Sequence, residues 1–265
     1  MWQELSDLRA SYRQKREINP DFYENREMLV FLYEVLKLTG TAIQKQTFID
    51  ITSTGRRPLG RLGTKAYDLW QAYLYVCQNA GTKKELDLSF VQTTAAKVMK
   101  HTGGETNTTI GSYDTSLGDF RLGEDYDEIY PLSDFRKIPD RLQALCQDIN
   151  VRINKVKGVQ TIHLAADFMY EFAHIKPFGA GNLEIGLLLM NYIQLYHQEP
   201  LIILFAEDRS QLLNALKRGE TDFGVKGYAD YRDLINDPEV EAIVIATPTQ
   251  THYEVLMAAI PSGKP

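Results

Sequence analysis

The chain has 265 residues, 44% of them hydrophobic and 24% charged, so it can bury a sizeable core without staples and has room for one large domain or a domain plus a fragment. A net charge of −6 excludes a broad electrostatic surface for nucleic acid or anionic lipid, but not a small local phosphate site. The start, Met1-Trp2-Gln3-Glu4-Leu5, lacks a basic region followed by an apolar run, and no apolar stretch is long enough to span a bilayer, so a cytoplasmic protein without a membrane partner is expected.

In chain order, residues 25–37 place Met28, Leu29, Phe31, Leu32, Val35 and Leu36 at helical spacing. A loop rich in glycine and arginine, 54–63, leads to a second periodic stretch, 66–80, with Leu69, Ala72, Tyr73 and Val76 on one side. Ser89-Phe90-Val91-Gln92 has the form of a capping box and predicts a helix running to Lys100. Residues 103–139 are rich in Gly, Asp, Thr and Tyr and do not read as helix. Within them, Asp119-Phe120-Arg121-Leu122-Gly123 and Asp127-Glu128-Ile129-Tyr130 are predicted to pair as a short hairpin. Such an excursion in a helical domain is either functional or a plain surface loop. Pro139 favours the first turn of the next helix, to about Lys155. The two cysteines, Cys77 and Cys146, sit inside apolar helical patterns and read as reduced, buried thiols, and nothing has metal-ligand spacing.

Residues 160–173 carry an apolar stripe of Ile162, Ala165, Ala166, Met169 and Phe172, and the helix must break at Lys176-Pro177 because proline disfavours helix in the residue before it. A second strong helix is predicted from Asn182 to His197. Character changes after Gly219. A short helical pattern at 228–234 is followed by a run of β-branched and small residues, 240–246, that reads as a buried strand, then by Pro248 and a helical pattern from Thr251 to Ile260. Strand followed by helix is new here and places a boundary near residue 220.

Between the two strongest helices lies His174-Ile175-Lys176-Pro177-Phe178-Gly179-Ala180-Gly181-Asn182. A helix that begins near Asn182 turns unpaired backbone N–H groups and the positive end of its dipole toward this loop. Two glycines let successive N–H groups converge on an anion, and Asn182 can cap the helix or donate to a ligand oxygen. The same spacing also describes an ordinary interhelical turn that uses glycine for positive φ.

The stretch around this loop resembles the centre of the Fic (Fido) family. That family's motif is His-Pro-Phe, two residues of which the second is often acidic, then Gly-Asn-Gly-Arg; here the chain reads Lys176-Pro177-Phe178-Gly179-Ala180-Gly181-Asn182-Leu183-Glu184. The flanking Leu187-Leu188-Leu189-Met190-Asn191, Pro200-Leu201-Ile202-Ile203, Glu207-Asp208-Arg209 and Asn214-Ala215-Leu216 agree as well, and Gly118-Asp119-Phe120-Arg121 resembles the start of the family's flap, a hairpin that aligns a target segment. The resemblance spans roughly residues 25 to 218. It implies a helical fold and the transfer of AMP from ATP to a protein hydroxyl.

Position by position, the resemblance puts the general base at Lys176 and the metal-holding acid at Ala180. It keeps the anion-hole glycine and asparagine as Gly181 and Asn182, and it replaces the next glycine by Leu183 and the phosphate-clamping arginine by Glu184. An amine is protonated near neutral pH and makes a poor base unless burial or a neighbouring cation weakens its hold on the proton. Ala180 lacks an oxygen for Mg²⁺, and Glu184 sets a negative charge where a polyphosphate wants a cation. Lys176 could instead bind phosphate as a cation. His174 could serve as a substitute base or simply pack at a helix end. The inhibitory glutamate that the family pairs with its motif arginine falls on Gln44, so neither end of that ion pair is present.

Residues 227–264 resemble a fragment of the NAD(P)-dependent sugar and inositol dehydrogenases, through Tyr228-Ala229-Asp230-Tyr231, Asp237-Pro238-Glu239-Val240 with the strand pattern that follows, and Thr251-His252-Tyr253-Glu254. No Gly-x-Gly-x-x-Gly follows a strand anywhere in the chain, so the pyrophosphate cradle is missing.

The expectation is a mainly α fold: a Fic-like helical bundle with a small β-hairpin flap, residues 1–220, and a short, incomplete Rossmann-like α/β appendage, 221–265. The candidate site comprises Lys176 and His174 for chemistry, Phe178, Gly179, Gly181 and Asn182 for an anion or nucleotide, and Asp119, Phe120 and Arg121 in the flap. ATP or a related nucleotide is the implied ligand; the motif supports neither Mg²⁺ nor NAD. A target protein at the flap is the implied partner, nucleic acid is not, and a homo-oligomer is left open. The leading expectation is a nucleotide- or phosphate-binding protein of weak or no transferase activity. The alternatives are an active nucleotidyl- or phosphotransferase using Lys176 or His174, and an oxidoreductase-related fusion fragment.

Overall fold

The computed structural model describes residues 2–123, 134–218, 231–236 and 257–262. Ten α-helices occur among them: α1 (Trp2–Ile18), α2 (Pro20–Leu38), α3 (Lys45–Thr54), α4 (Arg61–Gly81), α5 (Leu88–Val98), α6 (Ile138–Ile153), α7 (Gln160–Ile175), α8 (Asn182–Tyr196), α9 (Arg209–Arg218) and α10 (Tyr231–Asn236). One antiparallel hairpin, β1 (Glu105–Thr108) and β2 (Gly111–Asp114), interrupts them. The fold is mainly α, as expected. No helix among the described residues is long and apolar enough to cross a membrane.

Helix α8 is the axis of the bundle. Every residue from Glu184 to Gln194 is buried, because Ile185, Leu187, Leu188, Leu189, Met190, Tyr192 and Ile193 cover all sides of the helix, and a helix apolar all round belongs in a core. Helices α7 and α4 are its main neighbours. Gly186 allows the close approach of α7: a Cβ there would meet Met169 Sδ at 2.9 Å and Phe172 Cδ1 at 3.1 Å. The polar members are satisfied. Asn191 donates to Ile202 O at 3.0 Å and accepts from Ile202 N at 2.7 Å, and Gln194 donates to Thr161 O at 2.9 Å.

The apolar periodicities are where the sequence places them, with ends set by capping. Helix α2 starts at Pro20 behind an Asn19 cap, so the expected helix begins one turn early. Helix α5 departs from the expected capping box: Asp87 is the N-cap, its carboxylate accepting from Phe90 N at 2.6 Å, and Ser89 lies inside the helix. Both cysteines are free, Cys146 buried and Cys77 half-buried, and burial pushes their thiols up to about 12 and about 11.

The hairpin is the main correction. The expected arm Asp119–Gly123 is not a strand; its partner Asp127–Tyr130 lies outside the described residues. The strands fall upstream, joined by Thr109-Ile110, with Thr108 Oγ1 donating to Gly111 O at 2.7 Å. Most of the residues of both strands are exposed, so no alternation of apolar and polar residues marked them. In the tail, residues 231–234 of the expected helical pattern lie in α10, residues 228–230 lie outside the described residues, and residues 257–259 are helical. The expected strand at 240–246, the first part of the last helix and the boundary near 220 lie outside the described residues.

Candidate functional site: a glycine loop at the N-terminus of α8

Helix α7 ends because Lys176 takes a left-handed conformation, φ 42° and ψ 66°, its N–H still donating to Phe172 O at 3.0 Å. That conformation costs a non-glycine residue about 1 kcal/mol and persists only where the surroundings impose it. Arg121 does so. It is 2% exposed, its backbone N–H donates to Pro177 O at 3.0 Å, and its Nε–H donates to Lys176 O at 2.7 Å. The sequence puts Arg121 in a flap that meets a target; the structure buries it as a clasp on the loop. Phe120 stands beside it, its ring 5.7 Å from that of Phe178, which is itself buried. Asp119 is also engaged internally, accepting from Asp114 N at 2.8 Å.

Asn182 is the first residue of α8, not its cap; Gly181 holds the cap position with φ +76°. The Asn182 amide closes the loop on itself, accepting from Phe178 N at 3.0 Å and donating to Phe178 O at 2.6 Å. Both glycines are required by space. A Cβ on Gly181 would meet Met99 Sδ at 2.9 Å, and one on Gly179 would run into the ring of Tyr113, on β2. The hairpin therefore packs on the loop through a residue that carried no signal in the sequence.

The result is a fan of donors. The backbone N–H groups of residues 179–184 donate to no described acceptor, the first helical bond being Ile185 N to Gly181 O at 3.0 Å. They border a cleft of about 540 Å³. Lys176, Lys37 and Arg209 line it, opposite an apolar wall of Leu38, Met169, Leu213 and Leu216. Lys37 is bound to Glu34 at 2.8 Å, whose carboxylate holds its ammonium above the ordinary lysine value, and Arg209 Nε donates to Leu38 O at 3.1 Å. His174 is not among the lining residues. Its Nδ1 lies 2.8 Å from Tyr170 O, so that nitrogen carries the proton, and its ring centre lies 4.2 Å from that of Tyr170 with the planes tilted. The structure thus gathers Lys176, Gly179, Gly181 and Asn182 at the cleft and leaves His174 and Phe178 behind it.

Glu184, 5% exposed, lines the cleft too and pairs with Lys65 of α4 at 2.8 Å. Lys65 belongs to no motif. The signal that could have found it is the segment 51–67, which holds Arg56, Arg57, Arg61 and Lys65 and no acid, so a half-buried cation there needs a distant partner. Gln44, at the position of the family's inhibitory glutamate, precedes α3 and makes no capping bond with its side chain. Ala180 offers a metal nothing, and among the described residues no cluster of three His, Cys, Asp or Glu could hold one.

Residues 85–194 match the Fic/DOC family, and the helical body has the Fic fold. It is similar to a Fic domain containing signaling protein from Bacteroides thetaiotaomicron, with a TM-score of 0.65 at 19% identity, over 97% of this chain and 90% of that one. Fic-1 from C. elegans gives 0.59 at 16%, over 81% and 62%, and a Fic family protein from Desulfovibrio desulfuricans G20 gives 0.55 at 14%, over 81% and 63%. Residues 178–265 match the oxidoreductase family with an NAD-binding Rossmann fold, and 37 residues are 51% identical to an inositol 2-dehydrogenase/D-chiro-inositol 3-dehydrogenase of Lactiplantibacillus plantarum. Those residues are 14% of this chain and only 11% of that enzyme. The two family matches overlap at 178–194. There the fold decides: a dinucleotide cradle needs a strand before its glycines, and Gly179 and Gly181 follow helix α7.

Proposed function

We propose that this chain binds a phosphate-bearing ligand of the nucleotide class in the cleft at the start of α8, and that it does so with little or no adenylyl transfer. The observation that carries the reading is the run of N–H groups at residues 179–184 that donate to no described acceptor, on residues that line a cleft together with Lys176. Converging backbone donors at a helix N-terminus favour an anion through both hydrogen bonds and the helix dipole. The apolar wall across the cleft suits the body of a nucleoside, and the Fic fold supports a nucleotide as the class.

Transfer chemistry is disfavoured by what stands at the reacting positions. Lys176 is a cation where the family has a histidine base, Ala180 contributes no metal ligand, and the carboxylate of Glu184 opposes charge that grows on a transferring phosphoryl group. His174, the alternative base, has one ring nitrogen committed to Tyr170 O and lies outside the cleft lining. A protein target at the flap, a cytoplasmic setting and a separate C-terminal unit from about residue 221 belong to the same reading.

The test is a thermal-shift and calorimetric titration of the whole chain with inorganic phosphate, AMP and ATP, with and without Mg²⁺, beside Lys176→Met. Saturable stabilisation that weakens about tenfold in the variant supports the site. No shift with any of the three ligands defeats it. Lys176-dependent transfer of label from ATP to protein would defeat the second half of the proposal.

A further inference from the structure

The ion pair between Glu184 and Lys65 has a consequence for which phosphate the cleft accepts. Glu184 is the third residue of α8, within the first turn where a carboxylate is favoured by the helix dipole. It is 5% exposed, it lines the cleft, and among the described residues it pairs with the Lys65 ammonium at 2.8 Å. The pair is neutral as a unit, but its two charges are not equally placed. Glu184 lines the cleft beside the donor fan, whereas Lys65 is not among the lining residues and reaches the carboxylate from α4, behind it. A ligand in the cleft therefore meets a negative end first.

The other charges facing the cleft do not offset this for a long polyphosphate. Lys37 is bound to Glu34, and Arg209 is held by the carbonyl of Leu38. Lys176 also lines the cleft, at the opposite end of the loop sequence from Glu184. One terminal phosphate can take the N–H groups of residues 179–184 and lie near Lys176. A second and third phosphate have to share the cleft with the Glu184 carboxylate, and each added charge is repelled at short range, where screening is weak.

We infer that the Glu184–Lys65 pair is a charge filter, which makes the cleft selective for a phosphomonoester, such as a nucleoside monophosphate, over a metal-free triphosphate. This rests on the proposed phosphate site and adds its specificity. The monoester's phosphate occupies the donor fan, and its nucleoside lies on Leu38, Met169, Leu213 and Leu216. Lys65 acts through Glu184 as a positioning residue: it keeps the carboxylate folded against α4, and without it the full charge turns on the ligand.

The experiment compares AMP, ATP and inorganic phosphate by calorimetry in EDTA, using the whole chain and three variants. The native protein is expected to bind AMP at least about tenfold tighter than ATP, and added Mg²⁺, which lowers the charge of ATP, should narrow the gap. Glu184→Gln should bring the two affinities within about threefold, and Lys65→Gln should weaken all three ligands. The charge swap Lys65→Glu with Glu184→Lys restores the pair for folding and should reverse the preference toward ATP. Native preference for metal-free ATP, or an AMP-to-ATP ratio unmoved by both Glu184→Gln and the swap, overturns the filter while leaving the phosphate site standing. Failure of the native protein to bind any of the three removes the site, and the filter with it.

Discussion

The two ends of helix α8 are built to opposite rules. At the N-terminal end, six successive backbone donors have no described acceptor, and the side chains nearby, Asn182 and Arg121, bond to the loop and not to those donors. At the C-terminal end almost nothing is left over. Gln194 bonds to Thr161, the backbone beyond Tyr196 closes with Glu199 N donating to Gln194 O at 2.9 Å, and Glu199, 4% exposed, receives Arg9 at 2.9 Å and Arg13 at 3.0 Å. One helix thus carries a closed end that secures the fold and an open end that borders the cleft. Every α-helix leaves its first N–H groups without an intrahelical partner, and here the glycine loop adds the N–H groups of residues 179–181 to those of α8.

The closed end should dominate stability. Arg9, buried in the otherwise largely exposed helix α1, ties that helix to the bundle through Glu199, Gln194 at 3.2 Å and Thr161 at 3.3 Å. Arg9→Met leaves Glu199 buried with only the half-exposed Arg13, and breaking a buried pair costs about 3 kcal/mol. Urea unfolding should show that loss, while phosphate affinity at the other end of α8 stays within about twofold. Adding Glu199→Leu to Arg9→Met should recover much of the stability, since the uncompensated charge is then gone. A large drop in phosphate affinity in the single variant would break the division between the ends.

The open end should show the reverse balance. Asn182→Ala removes the two bonds that fold the loop back on Phe178, and should cost about 1–2 kcal/mol in unfolding experiments. Its larger effect should be on binding, with phosphate affinity falling at least about tenfold because the donors lose their common aim. If stability falls by that amount and affinity does not move, the donor fan is held by the glycines alone.

The legibility of these two ends differed for physical reasons. Helix periodicity exposed α4, α7 and α8, since their apolar faces obey a local rule, and Pro177 with Gly179 and Gly181 announced the loop. The Gly181-Asn182 start of α8 was legible too, though the use of the Asn182 amide was not: an asparagine at a helix start reads as a cap, and its bonds to Phe178 show only in the folded loop. The pairings of Lys65 and Arg9 were not legible, because their partners lie far along the chain and long-range ion pairs leave no spacing behind; the acid-free segment around Lys65 signals only that its partner is distant. Tyr113 was missed because the hairpin that carries it is mostly exposed, so it has no hydrophobic alternation, and its role comes from touching Gly179.

The smallest expected effect belongs to the closed end and concerns pH. Glu27 on α2 accepts a hydrogen bond from Leu201 N, just beyond α8, and the Tyr12 hydroxyl bonds to it as well. Burial outweighs these bonds and the nearby Arg16, with Glu24 adding to the push, so the Glu27 carboxyl is held above its ordinary value. For an acid raised in the folded state, the folded protein binds its proton more tightly than the unfolded chain does. Its contribution to stability is therefore fully present below the ordinary glutamate value and lost as pH rises through the folded one. Glu27→Gln keeps an oxygen for Leu201 N and removes the titration. The two proteins should have similar unfolding free energies at pH 4, with the variant gaining progressively between there and neutrality. Because the remaining acidic charge is common to both, its repulsion cancels in the difference. A difference that stays flat across this range would mean that the Leu201 and Tyr12 bonds, rather than burial, set the proton affinity, and the closed end would then be satisfied even for a full negative charge.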